Sequence, residues 1–315
     1  MEFIPENRLL LSNPDTLQAV RKEINLDKPG EMKAAVDILK EWIQQQPHFK
    51  KKDFIDHLLE VTIVIAKGSM ERAKRQIDKM CTMRSLWPHF FHVQDIRTDF
   101  ADTIERTSLV VMPKLTKEHH RVIVVKLHKP MTSSDLHLQH YKMGVCFAEY
   151  VKAHDYVNSY QYVLDLRQSN MADFLTTLNL TNLRQIVAIL VDCYGMGLKG
   201  IHIISESKLI DTFIGILKQF MKPKLMARLR HHRDADALPP LLGPACLPRE
   251  LGGAGRSVRE IQGDEEWIEE LSSKRNMQYL RDMSAAGTDE SRRPRGGFAE
   301  DYAGLPGTFR LLAVD

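Results

Sequence analysis

A chain of 315 residues with 43% hydrophobic side chains can bury a substantial core, and it is long enough for one large domain with an annex or for two modest domains. Its 44 basic and 41 acidic residues leave a formal charge of +3, which excludes a molecule built throughout to coat nucleic acid and moves electrostatic recognition to local patches. Cys81, Cys146, Cys193 and Cys246 stand far apart with no Cys-x-x-Cys pair, so buried reduced thiols are expected rather than a zinc or redox centre. The N-terminus lacks the charged start and apolar run of a secretory signal, and no run approaches the roughly 20 apolar residues of a membrane span. A cytoplasmic protein that touches membranes from outside is expected.

The first hundred residues read as helices. Ala34, Ala35, Ile38, Leu39 and Trp42 recur at helical spacing after Pro29 and Gly30, and Pro47 ends that helix. A second apolar run covers 54–66. A third helix is predicted over 69–83, with Ser69 as N-cap and Ala73, Ile77 and Met80 as its buried stripe. From about Leu115 the period changes. Apolar, β-branched runs at 122–127, 160–166 and 201–204 predict strands covered on both faces, separated by helices at 134–154 and 181–194. The alternation predicts an α/β domain whose crossover helices pack one side of the sheet, leaving the other for a ligand beneath a helix at 209–221. Past Arg230 the chain reads as loop. One more helix is predicted over 264–280, the stretch 285–297 is expected to be mobile, and 307–315 either adds an extended segment or hangs free.

Two glycine motifs invite a nucleotide reading. GMGLKG at 195–200 satisfies G-x-G-x-x-G, but that fingerprint works after a strand and before a helix, and here the order is reversed. A helix-to-strand turn is expected instead. GGAGRS at 252–257 lacks the spacing and lysine of a phosphate loop. His137 and His140, and the pairs His119-His120 and His231-His232, have no carboxylate or thiol at a recognisable spacing to complete a zinc site. No G-x-S-x-G elbow, Cys/His pair or paired carboxylates stand out, so neither catalysis nor a cofactor or metal is expected.

The most informative stretch is 200–233. An apolar strand, GIHIIS at 200–205, feeds a helix on which Ile210, Phe213, Ile214, Leu217 and Met221 share one face. A strongly basic segment follows: between Asp211 and Asp234 there is no acidic residue, while Lys218, Lys222, Lys224, Arg228, Arg230 and Arg233 are all present. Pro223 interrupts the helix, and Lys224 and Arg228 then fall one turn apart, a spacing that can grip a phosphate. Such a pattern suits a lid over an apolar cavity beside an anionic membrane.

The segments GIHIISE at 200–206, KQFMKPKLMARL at 218–229 and LPRELGG at 247–253 resemble the CRAL-TRIO lipid-binding family, in its tocopherol-transfer and retinaldehyde-binding branch. Residues 115–127, YVLDL at 162–166 and the tail at 307–315, which is similar to insect members, support the resemblance. It implies a mixed sheet with helices forming a hydrophobic pocket closed by a gate helix, preceded by a helical segment. It also implies reversible carriage of one apolar molecule, by a monomer that binds no nucleic acid. The domains expected are 1–100, helical; 101–260, ligand-binding; and 261–315, a helix and extended tail. In the tocopherol branch a basic cleft near the gate takes phosphoinositides; Lys199, Lys224 and Arg228 align with its basic positions, and Lys222 stands beside them. The family's basic FLRAR stretch reads Thr62-Ile-Val-Ile-Ala66 here, and another basic position has become Gly197.

Strand alternation puts Ile201 and Ile203 on the pocket face. The gate adds Ile210, Phe213, Ile214 and Leu217, and the preceding helix adds Val187, Leu190 and Val191. Tyr160 or Tyr162, with His202, would orient a ligand hydroxyl or aldehyde. The competing reading is an adaptor, recruited to membranes by phosphoinositides, that transports nothing.

Overall fold

The chain is described by a computed structural model over residues 3–263 and 266–294. It opens with α1 (Thr16–Glu23), α2 (Glu31–Gln45), α3 (Asp56–Ile65) and α4 (Met70–Leu86). Gly30, at φ 82°, turns the chain into α2, and the Ser69 hydroxyl caps α4 by accepting from the Arg72 amide at 3.4 Å. The α4 helix runs three residues past the expected end, and Cys81 and Met83 are buried beside the expected Ala73, Ile77 and Met80.

Two short helices, α5 (Ile96–Asp99) and α6 (Ala101–Arg106), lead to β1 (Thr107–Leu115) and β2 (His120–Leu127). Then follow α7 (Ser134–His154), β3 (Ser159–Asp165), α8 (Met171–Thr176), α9 (Leu180–Ala188) with a π turn at Ile189–Cys193, and β4 (Leu198–Ile204). After these come α10 (Ile210–Lys218), α11 (Pro223–Met226) and β5 (Leu229–His232). The C-terminal part contains α12 (Leu238–Leu242), α13 (Val258–Gln262), α14 (Trp267–Ser272) and α15 (Lys274–Ser284).

The strands form one mixed sheet in the order β1-β2-β3-β4-β5. β1 and β2 are antiparallel, and every later neighbour is parallel. Because each parallel connection advances one strand in the same direction, crossovers of the usual right hand put α7, α9 and α10 on the same face. That arrangement corrects the expected placement of the ligand: the cavity described below lies between the sheet and these helices, not on the opposite side. The opposite face is met by the C-terminal part, where the Cys246 thiol donates to Leu115 O and Gly255 sits against Met112.

Two strands were not expected. β1 contains Pro113, which argues against a strand, yet the register shifts between Val111 and Leu115, so the residue without an N–H falls in the irregularity. β5 is short, polar and at the sheet edge, where its charges suit an edge strand but hide it in a basic run. The predicted 264–280 helix is divided: Ser273 is extended, at ψ 146°, and its hydroxyl caps α15 by accepting from the Asn276 amide. Residues 264–265 lie outside the described residues. The expected mobility of 285–297 is also corrected over 285–294, since Thr288 bridges to Phe49 and Arg293 pairs with Asp78 and Glu290, each at 2.7 Å. Residues 295–297 and the 307–315 tail are outside the described residues.

The helical start and the sheet domain are joined by buried polar contacts. Arg84 on α4 pairs with Glu149 on α7, which also accepts from the Tyr194 hydroxyl at 2.8 Å. Arg21 and the Tyr156 hydroxyl both reach Glu60, each at 2.8 Å. One turn past Glu149, Lys152 is 3% exposed and its Nζ has no hydrogen-bond partner among the described residues. Burial pushes its ammonium down to about 7, against the attraction of Cys193 and Glu149. The unfolded chain therefore holds a proton between pH 7 and the ordinary lysine range that the folded chain lacks, and stability rises with pH across that window. Lys152→Met is expected to stabilise the protein at pH 7 and remove this slope, of up to about 1.4 kcal/mol per pH unit, in denaturant titrations at pH 7 and 9.5. An unchanged slope would contradict the neutral buried lysine.

Candidate functional site

The inward face of the sheet comes from Leu109 and Val111 on β1, Ile123 on β2, Tyr162 and Leu164 on β3, and Ile201 and Ile203 on β4. Over it lie Phe147, Ala148 and Val151 of α7, Val187 of α9 and Phe213 and Leu217 of α10, enclosing a cavity of about 180 Å³. At about 10–15 Å³ per enclosed water this is roughly a dozen water positions, or on the order of 400 Å³ of molecular volume, within the small-molecule range. Phe213 closes one side, its ring edge-to-face with Phe174 at 5.3 Å.

Among the expected pocket residues, Tyr162, Val187, Leu190, Val191, Ile201, Ile203, Phe213 and Leu217 lie in this lining. Tyr160, Ile210 and Ile214 do not. Tyr160 is buried at the start of β3 opposite Arg121, and burial, with the Asp155 carboxylate nearby, raises its phenol well above the ordinary value. Ile210 is buried at the first turn of α10, away from the cavity, and Ile214 is half-buried on the helix flank. His202 is on the opposite sheet face, stacked on His232 with Nδ1 and Nε2 3.0 Å apart, so it cannot orient a ligand in the cavity.

The lining also includes Thr107, His137, His140 and Tyr141, which sequence reasoning did not place there. All but Thr107 belong to α7, a helix with buried residues on most of its circumference, so periodicity alone does not single out its cavity face. His137 bonds the Thr177 hydroxyl at 3.0 Å, and burial pulls its imidazole down to about 4.

A second cavity, of about 530 Å³, adjoins the first and shares Val187, Val191, Met196, Leu198, Met221 and Leu225 with it. The rest of its wall carries six cations and one acid, Asp192: Lys199, Lys222, Lys224 and Arg228 line it, joined by Lys67 from the end of α3 and Arg184 from α9. The two additions stand on elements remote in sequence from the basic run. Lys222 pairs with Asp192 at 2.9 Å, Lys67 pairs with Glu23 at 2.8 Å, and Arg228 donates to Leu198 O. Lys199, Lys224 and Arg184 have no ion pair among the described residues.

Four residues of the GMGLKG motif, Met196, Gly197, Leu198 and Lys199, belong to the wall of this cleft. Gly195 follows the π turn at φ 66°, where a Cβ would collide with the Gln76 side chain, and Gln76 in turn donates to the carbonyls of Asp192 and Cys193. Gly197 then leads directly into β4.

Residues 105–253 match the CRAL/TRIO domain, and residues 28–100 match a Pinta-like UBA domain. The first match contains every strand and the whole cavity lining. Over 71 residues the chain is 30% identical to alpha-tocopherol transfer protein-like of Homo sapiens and of Pongo abelii, and 31% identical to that of Mus musculus. The aligned stretch spans 22% of this chain and 21% of each relative. A solved structure of Sfh5 superposes with a TM-score of 0.47 at 10% identity, covering 86% of this chain and 98% of that one. No helix among the described residues is long and apolar enough to cross a membrane. The chain therefore carries a CRAL/TRIO domain, over residues 105–253, preceded by a Pinta-like UBA domain over residues 28–100.

Proposed function

We propose that this protein carries one small hydrophobic molecule between membranes, binding it in the cavity beneath α10 and docking to anionic lipid through the adjoining basic cleft. The observation that carries the reading is the shared wall: an apolar chamber and a cleft lined by six cations meet at Val191, Leu198 and Leu225. A ligand burying ~400 Å² of apolar surface gains roughly 10 kcal/mol gross at ~25 cal/mol per Å², enough for reversible carriage after the costs of association. The α10 helix serves as the gate, since Phe213 and Leu217 reach the ligand space while Lys218 faces solvent. In this reading the helical N-terminal segment braces the ligand-binding body of 101–260, α14 and α15 pack against α7 of that body, and the protein acts as a cytoplasmic, non-enzymatic monomer. The phosphoinositide specificity of the tocopherol branch is proposed for the cleft, with Lys67 and Arg184 supplementing Lys199, Lys222, Lys224 and Arg228 in place of the basic positions lost at Ala66 and Gly197.

Lys199→Ala with Lys224→Ala tests the docking role, because neither side chain has an ion pair among the described residues. At about 1 kcal/mol per basic residue near an anionic leaflet, the pair is expected to lose roughly 30-fold in binding to phosphoinositide-containing vesicles in sedimentation assays, with ligand affinity unchanged. Equal losses in both would assign the strip to structure.

A further inference from the structure

Resting on the cavity being the ligand site, we infer that it selects an uncharged apolar alcohol, whose hydroxyl donates to His140 Nε2 and accepts from Tyr141 or Tyr162. The inference follows from how the few polar groups of the lining are already engaged. Thr107 Oγ1 lies 3.0 Å from Thr103 O, a carbonyl that can only accept, and we assign its single hydroxyl proton to that bond. Thr107 Oγ1 must then accept from His140 Nδ1, at 3.1 Å, which makes Nδ1 the protonated nitrogen. Burial holds the imidazole near 4, so the ring carries one proton at neutral pH and Nε2 presents a lone pair. Nε2 has no hydrogen-bond partner among the described residues, and neither do the hydroxyls of Tyr141 and Tyr162. All three side chains line the cavity and stay half-buried, while the surrounding protein suppresses ionisation of each. Tyr141 adjoins His140 with ring centroids 6.2 Å apart, and Tyr162 is near enough to act electrostatically on Tyr141.

Around His140 the lining therefore offers an acceptor at Nε2 and two hydroxyls able to donate. An alcohol uses both kinds of group. An aldehyde or ketone accepts from a tyrosine but leaves Nε2 unpaired, and a buried unpaired acceptor is costly. A carboxylate or ammonium head finds no counterion, because the lining contains no Lys, Arg, Asp or Glu.

Geranylgeraniol and its aldehyde, geranylgeranial, differ at that donor with almost no change in bulk, and their affinities for the full chain can be compared by titration calorimetry. The alcohol is expected to bind at least about tenfold more tightly. In His140→Phe, which keeps an aromatic ring, the preference should fall below about threefold while aldehyde affinity is retained. Equal affinities in the unaltered protein, or a preference for the aldehyde, would overturn the inference and leave the carrier reading standing. Binding of neither probe would overturn both. A preference that survives intact in His140→Phe would overturn the assignment of Nε2 as the acceptor.

Discussion

Arg121→Ala is expected to destabilise the fold by about 3–5 kcal/mol, a large share of the ~5–15 kcal/mol that holds a domain of this kind together. Arg121 is fully buried on β2 and grips Asp155, at the C-terminal end of α7, with two bonds: Nε to Oδ2 at 2.9 Å and Nη2 to Oδ1 at 2.6 Å. Its Nη1 also donates to Met112 O at 3.2 Å, satisfying the irregular part of β1 where Pro113 interrupts the ladder. One side chain thus fixes the strand pair to the helix that roofs the cavity. Alanine would leave the Asp155 carboxylate, 1% exposed, without its counterion, and that uncompensated charge is the source of the loss. Urea titration of both proteins measures it. A difference below about 1 kcal/mol would mean that water or backbone donors replace the guanidinium.

The same residue illustrates what the sequence could and could not disclose. β2, β3 and β4 were legible because their β-branched runs are covered on both faces, and α7 was placed at its observed bounds, 134–154, where the structure adds the Ser133 hydroxyl as its cap. Arg121 carries no such signal. It flanks an apolar run, and only the parallel pairing of β2 with β3 brings it beside the end of α7. The cavity divides in the same way. Ile201 and Ile203 follow from alternation on a strand, and Phe213 and Leu217 from the period of a short helix. Ile210 and Ile214 share that period yet miss the cavity, because the cavity underlies only part of α10. His140 and Tyr141 were hidden on a helix buried around most of its girth, where the sheet's position, not spacing, decides which side chains meet the ligand space. In the cleft, the basic run gave Lys222, Lys224 and Arg228 and the family resemblance gave Lys199, whereas Lys67 and Arg184 arrive from elements folded against them.

Phe213→Asp is expected to abolish ligand retention. Phe213 is 4% exposed, stacks edge-on with Phe174 and contributes directly to the cavity wall. An aspartate there faces a lining without any cation, and leaving an ionised carboxylate in such a site costs several kcal/mol. The closed position of α10 is then disfavoured, and the ligand loses both a wall and the exclusion of water. Lys218→Asp, an exposed change on the same helix, is the control and should retain ligand. Retention by Phe213→Asp equal to that of the control would remove α10 from the role of gate.

Native mass spectrometry of the protein after gentle extraction tests the carrier account most directly. The account predicts a stoichiometric adduct of one small hydrophobic molecule, present in the unaltered chain and in Lys218→Asp and absent from Phe213→Asp. A protein that remains empty after exposure to membranes, while still binding anionic vesicles, would contradict it and identify a membrane-recruited adaptor instead.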